Sequence, residues 1–165
     1  MEVFEKKYSK YIEKLYGTRR DEEEDKQLIQ ENLEIGLSEY KIKIRKDMTY
    51  INTYSIDPEG CEDADDAFSV YKEDGIMYLA IHIADPTEYI NVNSELWKNI
   101  KKRLITYYPS NRRPIHMIPD DIMERASLME NSYGNIKKAI TVLTEIDSKT
   151  FLAKGKIKLF FTNIQ

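Results

Sequence analysis

Six acidic side chains lie within ten consecutive positions of this 165-residue sequence, an unusual local concentration of negative charge. Because like charges repel, such a cluster is favoured when a cation lies among the carboxylates. Carboxylate oxygens are hard ligands of the kind that Mg²⁺ and Mn²⁺ prefer. The spacing therefore predicts a site for one or two divalent cations, formed by members of this cluster: Asp57, Glu59, Glu62, Asp63, Asp65 and Asp66.

Two other interpretations of the acidic cluster are a solvated loop and a calcium loop of the EF-hand type. The EF-hand loop requires a glycine at its sixth position and a glutamate at its twelfth. Counted from Asp63, those positions hold Phe68 and Asp74, so the EF-hand is a poor match. A Mg²⁺ or Mn²⁺ site would suit phosphoryl transfer, because metal ions can hold an attacking water and a leaving oxygen together.

The cluster is flanked by strand-like runs that would hold it in place, at residues 50–56 and 67–71. The second run, AFSVY, is followed by KEDG and then by IMYLAIHIA, which predicts a hairpin turning at Asp74 and Gly75. The apolar strand that follows the turn should lie inside a sheet, and Asp85 before Pro86 should end it.

Helical patterns occur on both sides of this hairpin, at residues 2–17, 21–37, 95–104 and 119–126. Ser94 can cap the third of these helices, and Pro119 suits the first turn of the fourth. Residues 39–48 alternate apolar and basic side chains, which fits either a short edge strand or a connector. We place a domain boundary near residue 48.

Two further strands are predicted at residues 139–147 and 151–161, paired across the SKT turn. In the second, lysines alternate with small or apolar residues, which predicts one basic face and one buried face. The alternating positions are Lys154, Lys156 and Lys158 against Gly155, Ile157 and Leu159. The predicted fold class is α+β, with a mixed or antiparallel sheet and packed helices, preceded by an N-terminal helical segment.

Charge is distributed unevenly along the chain. Residues 51–97 carry 11 acidic side chains and one basic side chain, whereas residues 98–165 carry 13 basic and six acidic ones. A polyanion would be repelled by the first block unless metal ions neutralised it, and could be gripped by the second. Both blocks are also compatible with ordinary solvated surfaces.

Several sequence blocks together resemble the catalytic (RNB) domain of the ribonuclease II family of exoribonucleases. The blocks are SIDPEGCEDADDAFSV, YLAIHIADPTEYI and TYYPSNRRPIHMIP, and they occur in family order with family-like separations. AITVLTEID also resembles the family strand that comes next. The likeness covers residues 50–165 and implies an N-terminal portion of that domain at 49–165, after a segment at 1–48 that does not resemble the family's usual cold-shock modules.

The resemblance implies hydrolysis of single-stranded RNA from its 3′ end with Mg²⁺ or Mn²⁺, releasing nucleoside monophosphates. By motif position, the four metal-binding carboxylates would be Asp57, Asp63, Asp65 and Asp66, with Asp65 and Asp66 as the catalytic pair. Tyr107 matches the tyrosine that stacks on the 3′-terminal base, a contact that tolerates any base.

The resemblance also implies that the family domain continues well beyond residue 165. That further part carries an arginine that stabilises the scissile phosphate. The chain is therefore expected to be a fragment, one part of a two-chain enzyme, or an inactive relative that binds RNA or protein.

Other candidate residues allow both functional and structural interpretations. Arg112 and Arg113, with His116, could contact RNA phosphates or belong to a solvated loop. His82, in an apolar strand, is interpreted as a structural residue.

The single cysteine and the charged N-terminus predict a cytoplasmic protein without a secretory signal. The absence of a long apolar run predicts no membrane partner.

Overall fold

The computed structural model describes residues 22–34, 44–61, 63–108 and 114–165. By their internal contacts the residues divide into two units, which are described separately. The helical unit comprises residues 1–39 and 90–120, and the strand unit comprises residues 40–89 and 121–165. Within the described ranges, each helix is too short or too polar to span a bilayer.

The strand unit is built on a five-stranded mixed sheet in the order β1-β5-β4-β3-β2. Neighbouring strands are antiparallel except for β1, which pairs in parallel with the end of β5. This arrangement confirms the predicted α+β class. The strands are β1 (Lys46–Asp47), β2 (Asp66–Glu73), β3 (Ile76–Ala84), β4 (Lys137–Ile146) and β5 (Ala153–Ile164).

The predicted hairpin is confirmed by β2 and β3, which are joined by the two residues Asp74 and Gly75. Both have positive φ, at 49° and 81°, which matches the right-handed twist of the strands that they join. The side chain of Gly75 is only a hydrogen atom, so this conformation carries no Cβ strain there. The turn fixes the register in which Asp66 lies opposite Ile83.

One face of the sheet carries the core of the strand unit. Core side chains come from the chain before β2 and from three strands, and tyrosine and phenylalanine rings pack around them. Two rings, those of Tyr71 and Tyr78, stack with centroids 5.4 Å apart. The buried core residues are Met48, Ile51, Ala80, Ala139, Leu143 and Ile164.

The predicted buried face on β5 is wrong. Ile157 is 71% exposed and Leu159 is 69% exposed, and residues 153–159 are exposed throughout. The alternation correctly indicates which residues share a face of a strand, but it cannot indicate whether another element covers that face. The pairing of β4 with β5 shifts register between Leu143 and Glu145, and this shift lies within the exposed part of β5.

Three helices lie at or near their predicted positions: α1 (Glu22–Glu34), α2 (Glu95–Arg103) and α3 (Asp120–Ala126). In the helical unit, α1 and α2 are in contact, and the backbone N–H of Asn91 donates to Asn32 Oδ1 at 2.6 Å. Ser94 caps α2 as predicted, because its hydroxyl accepts a hydrogen bond from the N–H of Trp97. The helix predicted at residues 2–17 lies outside the described residues.

The predicted domain boundary near residue 48 stays a prediction. Lys46 and Asp47, which precede it, pair with Thr162 and Asn163 of β5. Met48 is fully buried in the core of the strand unit.

Candidate metal centre

The acidic loop connects an isolated bridge to β2. Tyr54 and Phe68 exchange two backbone hydrogen bonds of 2.9 and 2.8 Å, so the chain before the loop lies beside β2. The loop then turns at Gly60, whose φ is +83°. Asp57 lies before this turn and is exposed, whereas Asp63 lies after it and is half-buried.

The backbone between the candidate ligands is held on both sides. Ala64 is fully buried, its N–H donates to Ser127 Oγ at 3.1 Å, and its carbonyl accepts the N–H of Leu128 at 2.9 Å. The next carbonyl, that of Asp65, accepts the N–H of Ala84 at 2.8 Å. These bonds fix the backbone on which Asp63, Asp65 and Asp66 are carried.

Three other carboxylates lie close enough to Asp65 to affect its ionisation. The pKa of Asp65 is raised, first because its carboxyl group loses water and then because of neighbouring negative charges. Those charges belong to the other three predicted ligands, Asp63, Asp66 and Asp57. The strand unit therefore brings all four predicted carboxylates into one electrostatic neighbourhood.

The donor chemistry of this neighbourhood fits a hard divalent cation, because all four groups offer carboxylate oxygen and a cation would relieve their mutual repulsion. The side chains are nevertheless not closed around one point. Among the described residues, no three His, Cys, Asp or Glu side chains converge closely enough to enclose an ion.

The end of β3 is anchored by a buried ionic network that the sequence did not predict. Arg45 Nη2 donates to Asp85 Oδ2 at 2.6 Å and to Glu88 Oε2 at 2.7 Å, and Lys138 Nζ reaches Glu88 Oε1 at 2.8 Å. Burial opposes ionisation of Glu88, but hydrogen bonds from Lys138 and Arg45 hold its pKa below the ordinary value. The network includes Asp85, the residue directly after Ala84, and the N–H of Ala84 donates to the carbonyl of Asp65.

A second set of buried polar groups crosses the covered face of the sheet, which is the face that carries the core. His82 Nε2 lies 3.0 Å from Ser69 Oγ, and His82 Nδ1 lies 2.8 Å from Thr141 Oγ1. The chain of contacts continues to Thr53 at one end and to Thr162 at the other. Burial lowers the pKa of His82 to about 4, so the ring is neutral at pH 7 and links the strands, in agreement with its predicted structural role.

Tyr107 lies in the helical unit and is half-buried. Its backbone exchanges hydrogen bonds of 3.0 and 2.9 Å with Ile115. The same two segments are joined again where Arg103 Nη1 donates to the carbonyl of His116 at 3.2 Å. His116 is half-buried, and Arg112 and Arg113 lie outside the described residues.

A cavity of about 390 Å³ in the strand unit was also missed by sequence reasoning. It lies beside Tyr54 and Ala67, and Lys137 forms part of its wall. Lys137 is only 4% exposed, and its ammonium donates to Asn131 Oδ1 at 2.8 Å. A lysine at the start of a strand gives no sequence signal of burial, which depends on the loop that folds over it.

Comparison with known proteins places this arrangement in a family. Residues 45–159 match the family model described as the RNB domain. Exoribonuclease 2 of Vibrio vulnificus is 36% identical over 137 residues, which cover 79% of this chain and 20% of that protein. Exoribonuclease 2 of Vibrio parahaemolyticus is 37% identical over 123 residues, covering 73% of this chain and 18% of that protein.

Solved structures show the same fold. RNase R of Mycoplasma genitalium, in complex with ribose-methylated single-stranded RNA, superposes with a TM-score of 0.66 at 22% identity, covering 84% of this chain and 21% of that one. Yeast Ssd1, a pseudonuclease, superposes with a TM-score of 0.63 at 20% identity, covering 78% and 16%.

The chain belongs to the RNB domain family, as the resemblance in its sequence blocks predicted. It spans about a fifth of the length of the exoribonucleases that it matches.

Proposed function

We propose that this chain supplies the metal-binding carboxylates of a 3′-to-5′ exoribonuclease that hydrolyses single-stranded RNA and releases nucleoside monophosphates. The observation that carries the proposal is the shared electrostatic neighbourhood of Asp57, Asp63, Asp65 and Asp66 within an RNB match. The similarity to two Exoribonuclease 2 proteins supports the reaction class. Because the chain spans a fifth of their length, we further propose that it acts as one part of a larger catalytic unit.

In this proposal, Asp57, Asp63, Asp65 and Asp66 would hold Mg²⁺ or Mn²⁺. The ion supplies Lewis-acid charge to the scissile phosphate when it is bound. The protein's own contribution is to position the carboxylates, through the bonds that Ser127, Leu128 and Ala84 make to the loop backbone. Asp65 and Asp66 are proposed as the catalytic carboxylates.

RNA binding in the proposal uses aromatic and basic groups. Tyr107 would stack on a base, and Arg112 and Arg113 would contact phosphates, as the sequence blocks suggest. The complexes of Mycoplasma genitalium RNase R with RNA support a nucleic-acid ligand for this fold. The remaining charge stabilisation would come from a second polypeptide that carries further parts of the domain, and we propose a cytoplasmic location.

The alternative proposal is a catalytically inactive relative that binds RNA or protein. It is favoured by one specific observation, that the carboxylates among the described residues do not converge on an ion. A chain of this kind would bind its partner without hydrolysing RNA in the presence of any divalent metal.

The two proposals are separated by product analysis. Single-stranded RNA labelled at its 3′-terminal nucleotide is incubated with the protein and Mn²⁺ or Mg²⁺, alone and with the remaining part of an RNB domain. The enzyme proposal expects labelled mononucleotide as the first product and none with EDTA. Intact RNA under every condition supports the binding module.

A further inference from the structure

One face of the sheet exposes apolar side chains on three of its strands. Ile81 and Ile83 on β3 are 41% and 44% exposed, and Val70 on β2 is 50% exposed. We call this surface the open face. Together with the two exposed residues of β5, its members are Val70, Ile81, Ile83, Ile157 and Leu159.

The strand register makes the open face continuous. Val142 of β4 is opposite Ile81 on one side and opposite Leu159 on the other, so it joins β3 to β5. Monomeric proteins rarely expose a contiguous apolar patch of more than a few hundred Å², and larger patches mark interaction sites. The opposite face of the same sheet already carries the core, so the open face is a second surface that is suited to packing.

Asp66 lies on the open face. It is exposed and alternates along β2 with Ala67, which is buried on the covered face, and it is opposite Ile83. A partner that covers Ile81 and Ile83 would therefore reach a candidate metal ligand. The open face and the proposed catalytic site are therefore adjacent.

Charge restricts what such a partner can be. Lys158 is opposite the core residue Leu143 in the register of β4 and β5, so the exposed lysines of β5 lie on the other face of the sheet. The charge that borders the open face is that of the acidic loop, which meets it at Asp66. A complementary partner has an apolar centre and a cationic group that meets the loop. RNA has no apolar surface to match the isoleucines and Leu159, and its phosphates would be repelled by the loop.

We propose that the open face binds a second polypeptide that carries the remaining part of an RNB fold. This inference rests on the proposed function, and it identifies the surface through which the two parts join. The chain spans about a fifth of its exoribonuclease relatives, and the RNB match extends along β5 to residue 159, so the open face lies within the family's own domain.

The test uses a defined companion, the region of Vibrio vulnificus Exoribonuclease 2 that follows the segment similar to this chain. Binding is measured by titration calorimetry and light scattering in EDTA without RNA, using the full 165-residue chain. We expect a one-to-one complex. Ile81→Glu and Leu159→Glu should each weaken it about tenfold or more, because each places a charge in an apolar contact.

The matched control is Val92→Glu, at a residue that is 54% exposed in the helical unit. It should leave the affinity within about twofold, a change of roughly 0.4 kcal/mol. Thermal unfolding of each variant checks that all three fold as the wild type does, which is expected because the substituted residues are exposed.

The proposal is overturned if no complex forms, or if all three variants bind the companion equally well. It is also overturned if the chain is a homodimer that Ile81→Glu and Leu159→Glu dissociate, because the occupant is then a second copy. A complex that forms through the open face but does not hydrolyse RNA when Mn²⁺ is added contradicts the proposed function and leaves the interface standing.

Discussion

The carbonyl of Asp65 accepts a hydrogen bond from the N–H of Ala84 at 2.8 Å, which joins the acidic loop to the end of β3. The next residue, Asp85, is fully buried and is paired with Arg45. The position of a candidate metal ligand is therefore linked to a buried ion pair whose two partners, Arg45 and Asp85, are 40 residues apart in sequence. The stability of the sheet and the geometry of the site are linked at this point.

Replacing Asp65 with Asn should have opposite effects on the metal-free protein and on metal binding. The carboxylate is repelled by Asp63, Asp66 and Asp57, so its removal should raise the melting temperature in EDTA. It should also weaken Mn²⁺ binding about tenfold or more, which corresponds to about 1.4 kcal/mol. Differential scanning fluorimetry and calorimetric titration measure the two effects.

Glu59→Gln is the control for that substitution, because Glu59 is an exposed acid of the same loop without a predicted ligand role. It should change Mn²⁺ affinity little. If both variants lose affinity equally, general negative charge explains metal binding, and the assignment of Asp65 as a ligand fails.

Arg45→Met should strongly destabilise the strand unit. The substitution removes the Arg45 side of the ion pair with the fully buried Asp85, and breaking a buried pair from one side costs about 3 to 5 kcal/mol. Urea unfolding, monitored by circular dichroism, measures the change in the free energy of unfolding. Lys98→Met, which breaks an exposed pair with Glu95 in α2, should leave the midpoint almost unchanged, and a similar loss in both variants would argue against the network.

His82 should make the fold less stable as the pH falls from about 7 to 5. Its folded-state pKa of about 4 lies below the ordinary value of 6.5, so the unfolded chain binds more protons between those two values. The stability provided by the neutral, buried ring is fully present above the unfolded pKa and is lost as the pH falls towards 4. The loss at pH 5 is about 2 kcal/mol.

The contribution of His82 is isolated with His82→Gln, whose amide can still form hydrogen bonds but does not titrate. Urea midpoints at pH 7 and pH 5 are compared for the two proteins. Between pH 7 and pH 5, the urea midpoint of the variant should change much less than that of the wild type. If the midpoints of both proteins fall equally, another titrating group causes the loss of stability.

Tyr107→Ala should weaken binding of single-stranded RNA by about 1 to 3 kcal/mol, with similar losses for oligo(A) and oligo(U), if its ring stacks on a base. Fluorescence anisotropy in EDTA measures affinity without hydrolysis. Tyr107→Phe should bind as the wild type does, because stacking needs the ring and not the hydroxyl group. Tyr108→Ala, at the 72% exposed neighbour, is the control, and an equal loss there would remove the specific role of Tyr107.

Local patterns predicted most of the secondary structure. The β2–β3 hairpin follows from alternating side chains and from an Asp-Gly turn that favours positive φ. The start of α2 follows from Ser94, which can accept a hydrogen bond from the first turn. Both features depend on residues that are close in sequence.

Long-range contacts could not be predicted in the same way. The partners Arg45 and Asp85 are separated in sequence, and nothing in either local pattern indicates the other. The exposure of Ile157 depends on whether an element covers β5, which the alternation of side chains does not encode. For the site, spacing indicated a cluster of six acids and the family resemblance implied the four ligands among them, but the effect of the other three on the pKa of Asp65 required the fold of the loop.

Asp66 is proposed to take part in metal-dependent removal of nucleotides from the 3′ end of RNA. The most direct measurement is product analysis of 3′-labelled single-stranded RNA with Mn²⁺ and the companion polypeptide, comparing the wild type with Asp66→Asn. Calorimetry in EDTA first establishes that both proteins bind the companion equally. We expect labelled mononucleotide from the wild type and at least about a hundredfold less from Asp66→Asn, a barrier difference of about 2.7 kcal/mol. Equal release from both proteins, or none from the wild-type complex, would contradict it.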